Sequence, residues 1–186
     1  MLITHEREKL INAILYFASH TRHCGKIKLF KLLYLLDFEH FRQTGRSVTG
    51  LDYRAWELGP VPIHLMQEWE ELKPDLAAVV SIQPERVIDY VRETVVPQAE
   101  FDDRHFSKRE LRLMEELADR YRDVFSPKMI DVTHVENGAW DRVWNDGQGF
   151  DQPIAYDLAL AEDAPHREAI LEAADEYRAM IGAAHA

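Results

Sequence analysis

The apolar positions at the start of the chain recur with the 3.6-residue spacing of a helix. Thr4 stands where it can cap this first helix, which we expect to end between His20 and Gly25. The next segment, from Lys26 to Gly45, is apolar on most of its faces, as expected for a helix at the centre of a domain. The pattern therefore predicts a buried central helix preceded by an amphipathic one.

Two segments have the β-branched and aromatic composition of strands. Residues 47–57 predict a short extended segment that breaks at Gly59, and Pro62 is placed to open a third helix. Residues 76–98 predict a two-stranded antiparallel ribbon with its turn at residues 83–85. A ribbon of two strands is marginal alone, so we expect it to pack on the helices.

Start and stop signals predict four helices in the second half of the chain. Ser107 and Glu110 have the spacing of a capping box, in which each side chain satisfies a backbone amide of the other residue. The other starts are expected at Ser126-Pro127, at Asn137 and after Pro165, with the last helix ending near Gly182. The predicted fold is mainly α: a single compact helical domain with a buried central helix and a small antiparallel β element.

Length and composition suit one domain with its own packed interior. The chain has 186 residues, of which 46% are hydrophobic and 30% are charged. The single cysteine, Cys24, excludes an internal disulfide, and the N-terminus carries no secretion signal. No apolar run approaches the roughly 18 residues of a membrane span. We therefore expect a cytoplasmic protein with no membrane partner.

Charge is divided unevenly along the chain. The formal net charge is −11, yet residues 1–54 hold nine Lys and Arg against five Asp and Glu. The acidic excess of the remainder repels phosphate, which disfavours nucleic acid as a partner and favours a basic protein. The exception is a basic group at the start of the central helix that a DNA-binding protein could use: Arg22, His23, Lys26, Lys28 and Lys31.

The residues that carry chemistry form no complete catalytic or metal motif. The phosphate-binding, dinucleotide-binding, nucleophile-elbow and zinc-protease signatures do not occur. His20, His23 and Cys24 are the best metal-like group, but no second pair at matching spacing completes a tetrahedral set. Asp37 and His40 have the spacing of a general-base pair, which is also that of a local hydrogen bond. We expect no catalytic residues, no metal and no cofactor.

Four short motifs follow one another in an order that chance does not readily produce. They are K-L-L-Y-x-x-D at residues 31–37, G-x-x-x-T-G at 45–50, Y-x-A-W-x-x-G-P-V at 53–61 and T-H-x-E-x-x-x-W at 133–140. On these motifs the chain resembles the Panacea domain, the SocA-like family of antitoxins, over roughly residues 8–158.

The resemblance implies a mainly helical domain that neutralises a co-encoded toxin by direct protein contact. It assigns residues 1–160 to the antitoxin domain and leaves residues 161–186 as a C-terminal helix packed on that domain or on a partner. Because members of the family face varied toxins, we expect the toxin-binding surface outside the shared motifs, in the 76–105 ribbon or the C-terminal helix. The motif residues, expected to be mostly structural, are Lys31, Leu32, Tyr34, Asp37, Gly50, Tyr53, Trp56, Gly59, Pro60, Thr133, His134 and Trp140.

Three alternatives remain open at this point. The first is an adaptor that delivers a bound toxin to a cellular protease. The second is a DNA-binding regulator that uses the basic group of the N-terminal third. The third, from another class, is a hydrolase or metal-dependent enzyme built on Asp37, His40 and His134.

Overall fold

The computed structural model of the protein describes residues 4–135 and 138–185. Helices predominate in these residues, which confirms the predicted mainly α fold. In chain order the elements are α1 Glu6–His20, α2 Lys26–Thr44, β1 Tyr53–Trp56, β2 Gly59–Pro62, α3 Ile63–Glu68, α4 Pro74–Ala77, β3 Val80–Val87, β4 Tyr90–Pro97, α5 Lys108–Tyr121, α6 Ser126–Val135, α7 Ala139–Trp144 and α8 Arg167–His185. Short 3-10 helices lie at Asn145–Gly147 and Tyr156–Ala159.

Helix α2 is the centre of the fold, as its all-round apolar pattern predicts. Every side chain from Lys28 to Phe38 is buried. The helix packs against α1, α5, α6 and α8 and against both hairpins. It ends at Gly45, whose φ of +72° favours glycine. A Cβ at Gly45 would also lie 2.5 Å from the carbonyl oxygen of Ile170, so this glycine lets α8 approach α2.

The two small sheets are antiparallel hairpins. In the first, β1 and β2 pair from Tyr53 opposite Pro62 to Trp56 opposite Gly59. In the second, β3 and β4 pair along their whole length, and the turn lies at residues 88–89. The predicted turn at residues 83–85 is therefore wrong. Pro84 instead pairs with Glu93 inside the ladder.

The predicted helix starts have different outcomes. The capping box is confirmed: the backbone N–H of Glu110 donates to Ser107 Oγ, and that of Ser107 donates to Glu110 Oε2 at 2.6 Å. Thr4 is not the cap of α1, because α1 begins after His5, which has a left-handed backbone and makes no side-chain capping bond. The predicted cap at Asn137 lies outside the described residues. The last helix continues past Gly182 to the end of the described chain.

The core divides into a large and a small cluster. The large cluster joins α1, α2, both hairpins and α5 to α7. The small cluster consists of Phe41, Leu160 and Ala174, with Ile170 and Leu171 packed against it, and it fixes α8 to the far end of α2. No helix within the described residues is both long and apolar enough to cross a membrane.

Candidate functional site

Asp37 lies on α2 and fastens the segment that follows this helix. Its Oδ1 accepts hydrogen bonds from the backbone N–H groups of Val48 and Thr49, both at 2.8 Å. Its Oδ2 accepts from the hydroxyls of Thr49 at 2.5 Å and Tyr53 at 2.8 Å. Burial raises the pKa of the carboxyl to about 6, and these donors oppose the shift. Four donors occupy the acceptor positions of the carboxylate, so Asp37 holds the chain in place.

Asp37 and His40 do not form the general-base pair that their spacing allows. Nδ1 of His40 lies 2.7 Å from the carbonyl oxygen of Arg46, and within the described chain no hydrogen bond joins the imidazole to Asp37. His134 belongs to a different cluster, stacked on Trp140. The three residues of the hydrolase alternative therefore each have partners of their own.

Lys31 is buried beside the β1–β2 turn. Its Nζ donates to the carbonyl oxygen of Pro60 at 2.9 Å, and burial lowers the pKa of the amine to about 7. Gly59 has a φ of +101°, and a Cβ there would lie 2.9 Å from Lys31 Nζ and 3.1 Å from Thr133 Oγ1. The Thr133 hydroxyl is directed to the carbonyl oxygens of Met129 and Ile130 in its own helix. The motif residues of three segments thus meet at this turn.

Three stacked aromatic rings lie beside the same turn. His134 lies parallel to Trp140, with 3.8 Å between the ring centroids, and Trp140 stacks on Trp144. Trp140 Nε1 donates to the carbonyl oxygen of Trp56 at 3.0 Å, and Trp56 Nε1 donates to Asp151 Oδ1 at 3.0 Å. Burial, and then the positive charge of Lys31, lower the pKa of His134. The structure therefore brings together seven of the motif residues, which we call the turn cluster: Lys31, Trp56, Gly59, Pro60, Thr133, His134 and Trp140.

The remaining motif residues lie outside the turn cluster. Leu32 and Tyr34 are fully buried, and the Tyr34 ring packs edge-on against Tyr53. Gly50 has a φ of +67°, and a Cβ there would lie 2.5 Å from the Glu6 carboxylate carbon.

The metal-like group at the end of α1 is dispersed. His20 bonds the carbonyl oxygen of Tyr16, and His23 stacks on the ring of Phe125. Cys24 is buried, and this burial raises the pKa of its thiol to about 11. No group of three metal-ligand side chains occurs among residues 4–135 and 138–185.

The basic group at the start of α2 is engaged inside the protein. Lys28 is buried, and its Nζ donates to the carbonyl oxygens of Arg22 and Arg122. Lys26 forms an ion pair with Glu93 at 3.3 Å, and the Arg22 side chain forms one with Asp123 at 3.1 Å. With Lys31 buried as well, this group presents no row of free cations to a phosphate backbone.

Two surface grooves meet at the first turn of α2. One, of about 280 Å³, lies between β4 and the start of α6 and includes Tyr90 and Val91. The other, of about 350 Å³, lies beside the β1–β2 turn and includes Leu58 and Phe150. Lys26 and Ile27 line both grooves, so the two form one continuous surface. We call the surface made by Ile27, Leu58, Tyr90, Val91 and Phe150 the apolar face.

The apolar face is rich in exposed apolar side chains. Eight large apolar side chains are exposed in the described residues, and four of them lie on this face. Ile88, which is 91% exposed, sits at the adjacent turn of the β3–β4 ribbon. Neither Leu58 nor Phe150 belongs to a pattern that indicates a binding surface. The available signal was an apolar residue in a turn, where a polar one is usual.

A comparison with protein-family models identifies the family of the chain. A family model described as antitoxin SocA-like, Panacea domain, matches residues 29–141. This is narrower than the span of about 8–158 inferred from the motifs, and it contains every motif residue named above. Neither a curated protein nor a solved structure matches the chain. More than half of the chain fits the family model, and the protein therefore belongs to the SocA-like antitoxin family of Panacea-domain proteins.

Proposed function

We propose that the protein is the antitoxin of a toxin–antitoxin pair and neutralises its cognate toxin by binding it directly through the apolar face. The observation that carries this proposal is the set of exposed apolar side chains on two joined grooves, which no part of the described chain covers. Contiguous apolar surface of this kind is typical of sites that bind another protein. Family membership supplies the class of partner, a protein toxin.

The burial of the motif residues supports binding rather than catalysis. Lys31 and Asp37 are at most 2% exposed, and Tyr53 is equally buried. Side chains in these positions shape the β1–β2 turn and the segment before it, and that turn carries Leu58 into the apolar face. The shared residues thus build a scaffold, while exposed residues around it can differ between proteins that bind different toxins.

The charge of the molecule favours a basic partner. The formal net charge of −11 attracts a cationic protein over distances of about a Debye length, roughly 8 Å at physiological salt. This attraction speeds the encounter, while burial of the apolar face slows dissociation. Toxins that act on nucleic acids carry the basic surface that would complement such an antitoxin.

Coexpression with the product of the neighbouring reading frame tests the proposal. We expect growth rescue together with a stable complex that survives purification. The double variant Leu58→Asp with Val91→Asp should keep its fold, because both side chains are exposed, and should lose both rescue and complex. Charges placed in a desolvated interface cost binding energy on the order of several kcal/mol.

Met180→Asp is the matched control for this experiment. Met180 on α8 is 53% exposed and Leu58 is 52% exposed, so both changes place a carboxylate at equally accessible sites. Rescue should be unaffected in the control. Loss of rescue in Met180→Asp with normal rescue in the double variant would move the binding surface to the C-terminal helix.

The same assay separates the alternatives. Rescue with falling toxin levels that depends on a cellular protease would indicate an adaptor rather than a stoichiometric inhibitor. Rescue that is lost in Asp37→Asn while the fold and the complex stay intact would indicate catalysis. Binding to DNA that weakens steeply with salt and is lost in Arg22→Glu, a change at an exposed side chain, would indicate a regulator.

A further inference from the structure

A second cavity lies at the opposite end of α2 from the apolar face. It has a volume of about 530 Å³ and is bordered by α1, the end of α2, the start of α5 and Tyr177 of α8. It shares no residue with the two grooves of the apolar face. Ile27 and His40 are thirteen positions apart on α2, so the two regions are about 20 Å apart along this helix.

The charge of this cavity is opposite to that of the molecule. Lys9, Arg46 and Arg109 line it, together with a single carboxylate, Glu110. That carboxylate is already neutralised, since Oε1 accepts from Lys9 Nζ at 2.6 Å and Oε2 accepts from the backbone N–H of Ser107. The excess positive charge therefore comes from Arg46 and Arg109.

Neither arginine forms an ion pair with an acid of the described chain. Within the described chain, the guanidinium of Arg46 rests over the ring of Tyr177 at 4.5 Å. Arg109 Nη1 makes a long hydrogen bond of 3.4 Å to Gln43 Oε1. Other exposed arginines do pair with a carboxylate, as Arg22 does with Asp123. Two unpaired guanidiniums on one cavity have the fork geometry that suits phosphate oxygens.

His40 lines the cavity, and one of its two ring nitrogens makes no hydrogen bond within the described chain. The side chain is only 6% exposed and lines the cavity. Nδ1 must carry the proton, because it donates to the carbonyl oxygen of Arg46 at 2.7 Å. Nε2, on the other side of the ring, makes no hydrogen bond within residues 4–135 and 138–185. Nε2 is not among the buried side-chain atoms of the described chain that lack a partner, so it is open to solvent and accessible to a ligand.

We propose that this cavity binds the phosphate group of a small molecule, with Arg46 and Arg109 contacting its oxygens and His40 lying against it. The first turn of α5, a helix of 14 residues, also borders the cavity, and the dipole at this end of the helix favours an anion. This inference is independent of toxin binding, because it uses none of the residues of the apolar face.

An NMR titration of the full-length chain with inorganic phosphate tests the site, at constant ionic strength maintained with chloride. Amide shifts should saturate and map to residues 107–110 and to Arg46. A parallel titration with AMP identifies the source: affinity at least about tenfold above that of phosphate would indicate an organic monophosphate, and equal affinity would indicate the free ion. Either result supports the proposal. Shifts that chloride reproduces, or a double-stranded oligonucleotide that displaces phosphate, would overturn it.

Three arginine variants localise the binding. Arg46→Gln and Arg109→Gln should each weaken phosphate binding by at least about tenfold, because each removes a charge-assisted contact. Arg112→Gln is the matched control, since Arg112 is an exposed arginine on the same helix that lines neither this cavity nor the grooves. Equal affinities in all three variants would overturn the assignment. The amide spectrum of each variant shows in the same experiment that it is folded.

Proton uptake provides a readout that general electrostatics would not give. Burial lowers the pKa of His40. The charge of Glu110 raises this pKa, and the charges of Lys9 and Arg109 lower it further. The cavity near His40 is also lined by Thr44, Arg46 and Tyr177. An anion at Nε2 favours the protonated ring. The affinity for sulfate, which keeps its charge, should therefore rise from about pH 7.5 to about pH 5.5, and His40→Gln should abolish this rise. A pH-independent affinity in the unmodified protein would contradict the contact with His40.

Discussion

A side chain at position 59 would collide with the two polar atoms that meet at the β1–β2 turn. The Cβ would stand 2.9 Å from Lys31 Nζ and 3.1 Å from Thr133 Oγ1, and the φ of +101° is itself unfavourable for any other residue. At the residue scale, the glycine at position 59 is therefore explained by the limited space and the positive φ of the β1–β2 turn.

Gly59→Ala should lower the free energy of unfolding by about 3 kcal/mol, because steric overlap adds to the strain of a positive φ. Urea denaturation measures this. Gly147→Ala is the control: its φ is +89°, but the nearest side-chain atoms are 3.7 Å away. That variant should lose only about 1 kcal/mol. Equal losses in the two variants would mean that the contact with Lys31 and Thr133 contributes nothing.

Lys31 makes the stability depend on pH. Its pKa falls from the usual 10.5 to about 7 on folding, so the folded chain binds fewer protons than the unfolded chain between these values. The free energy of unfolding is therefore highest above pH 10.5, where Lys31 is neutral in both states. It falls with pH down to about 7, below which Lys31 is protonated in both states. The free energy of unfolding should rise from pH 7 to about pH 8.5 by up to about 1.4 kcal/mol per pH unit more than in Lys31→Met. Lys73→Met, at an exposed site, should keep the slope of the unmodified protein; loss of the slope there would contradict this origin.

At the scale of elements, the capping box joins local sequence to tertiary packing. Ser107 and Glu110 satisfy each other at the start of α5, and the Glu110 carboxylate also binds Lys9 of α1. Ser107→Ala should therefore lower stability by about 1 kcal/mol in urea denaturation, with an unchanged dependence on denaturant. Ser126→Ala, where no side-chain hydrogen bond is made within the described residues, should change it less. No loss in Ser107→Ala would remove the capping box as a source of stability.

The elements also show where sequence patterns succeed and where they do not. The buried helix α2 was predictable because its apolar residues cover all faces, and only an interior position satisfies that pattern. The turn of the β3–β4 ribbon was not predictable, because Pro84 looks like a chain reversal. The pair Ile88-Asp89, where the chain does turn, is not one of the Asn-Gly or Asp-Gly pairs typical of a two-residue hairpin. A proline is tolerated in this ladder because a two-stranded ribbon consists of edges.

The candidate site likewise contains some residues that the sequence could indicate and others that it could not. The motifs indicated Lys31, Gly59 and Trp140 as residues that matter. The structure places all three in the turn cluster, where Lys31 lies against Gly59 and Trp140 bonds the carbonyl oxygen of Trp56, although up to about a hundred residues of sequence separate them. The apolar face could not be read from any period, because Leu58 and Phe150 are isolated apolar residues in irregular segments. Only the fold brings them next to Ile27.

At the scale of the whole molecule, the two ends of α2 have opposite characters. The N-terminal end carries the apolar face, and the C-terminal end carries a cavity with excess positive charge in a protein whose formal net charge is −11. Helix α8 packs on the second end, where it contributes Tyr177 to the cavity and Ala174 to the small core cluster. A ligand in that cavity would therefore touch α8 directly, while a partner on the apolar face would not.

The separation of the two core clusters predicts how the chain responds to loss of α8. A chain of residues 1–163 should still unfold cooperatively, because the large cluster contains no residue from α8. It should be less stable by about 2 to 4 kcal/mol, since Phe41 and Leu160 lose the apolar cover of Ile170 and Ala174. Urea denaturation measures this loss, and coexpression should show unimpaired rescue if the toxin binds the apolar face. A truncated chain without a cooperative transition would mean that α8 is an integral part of the domain and that the boundary at residue 160 is wrong.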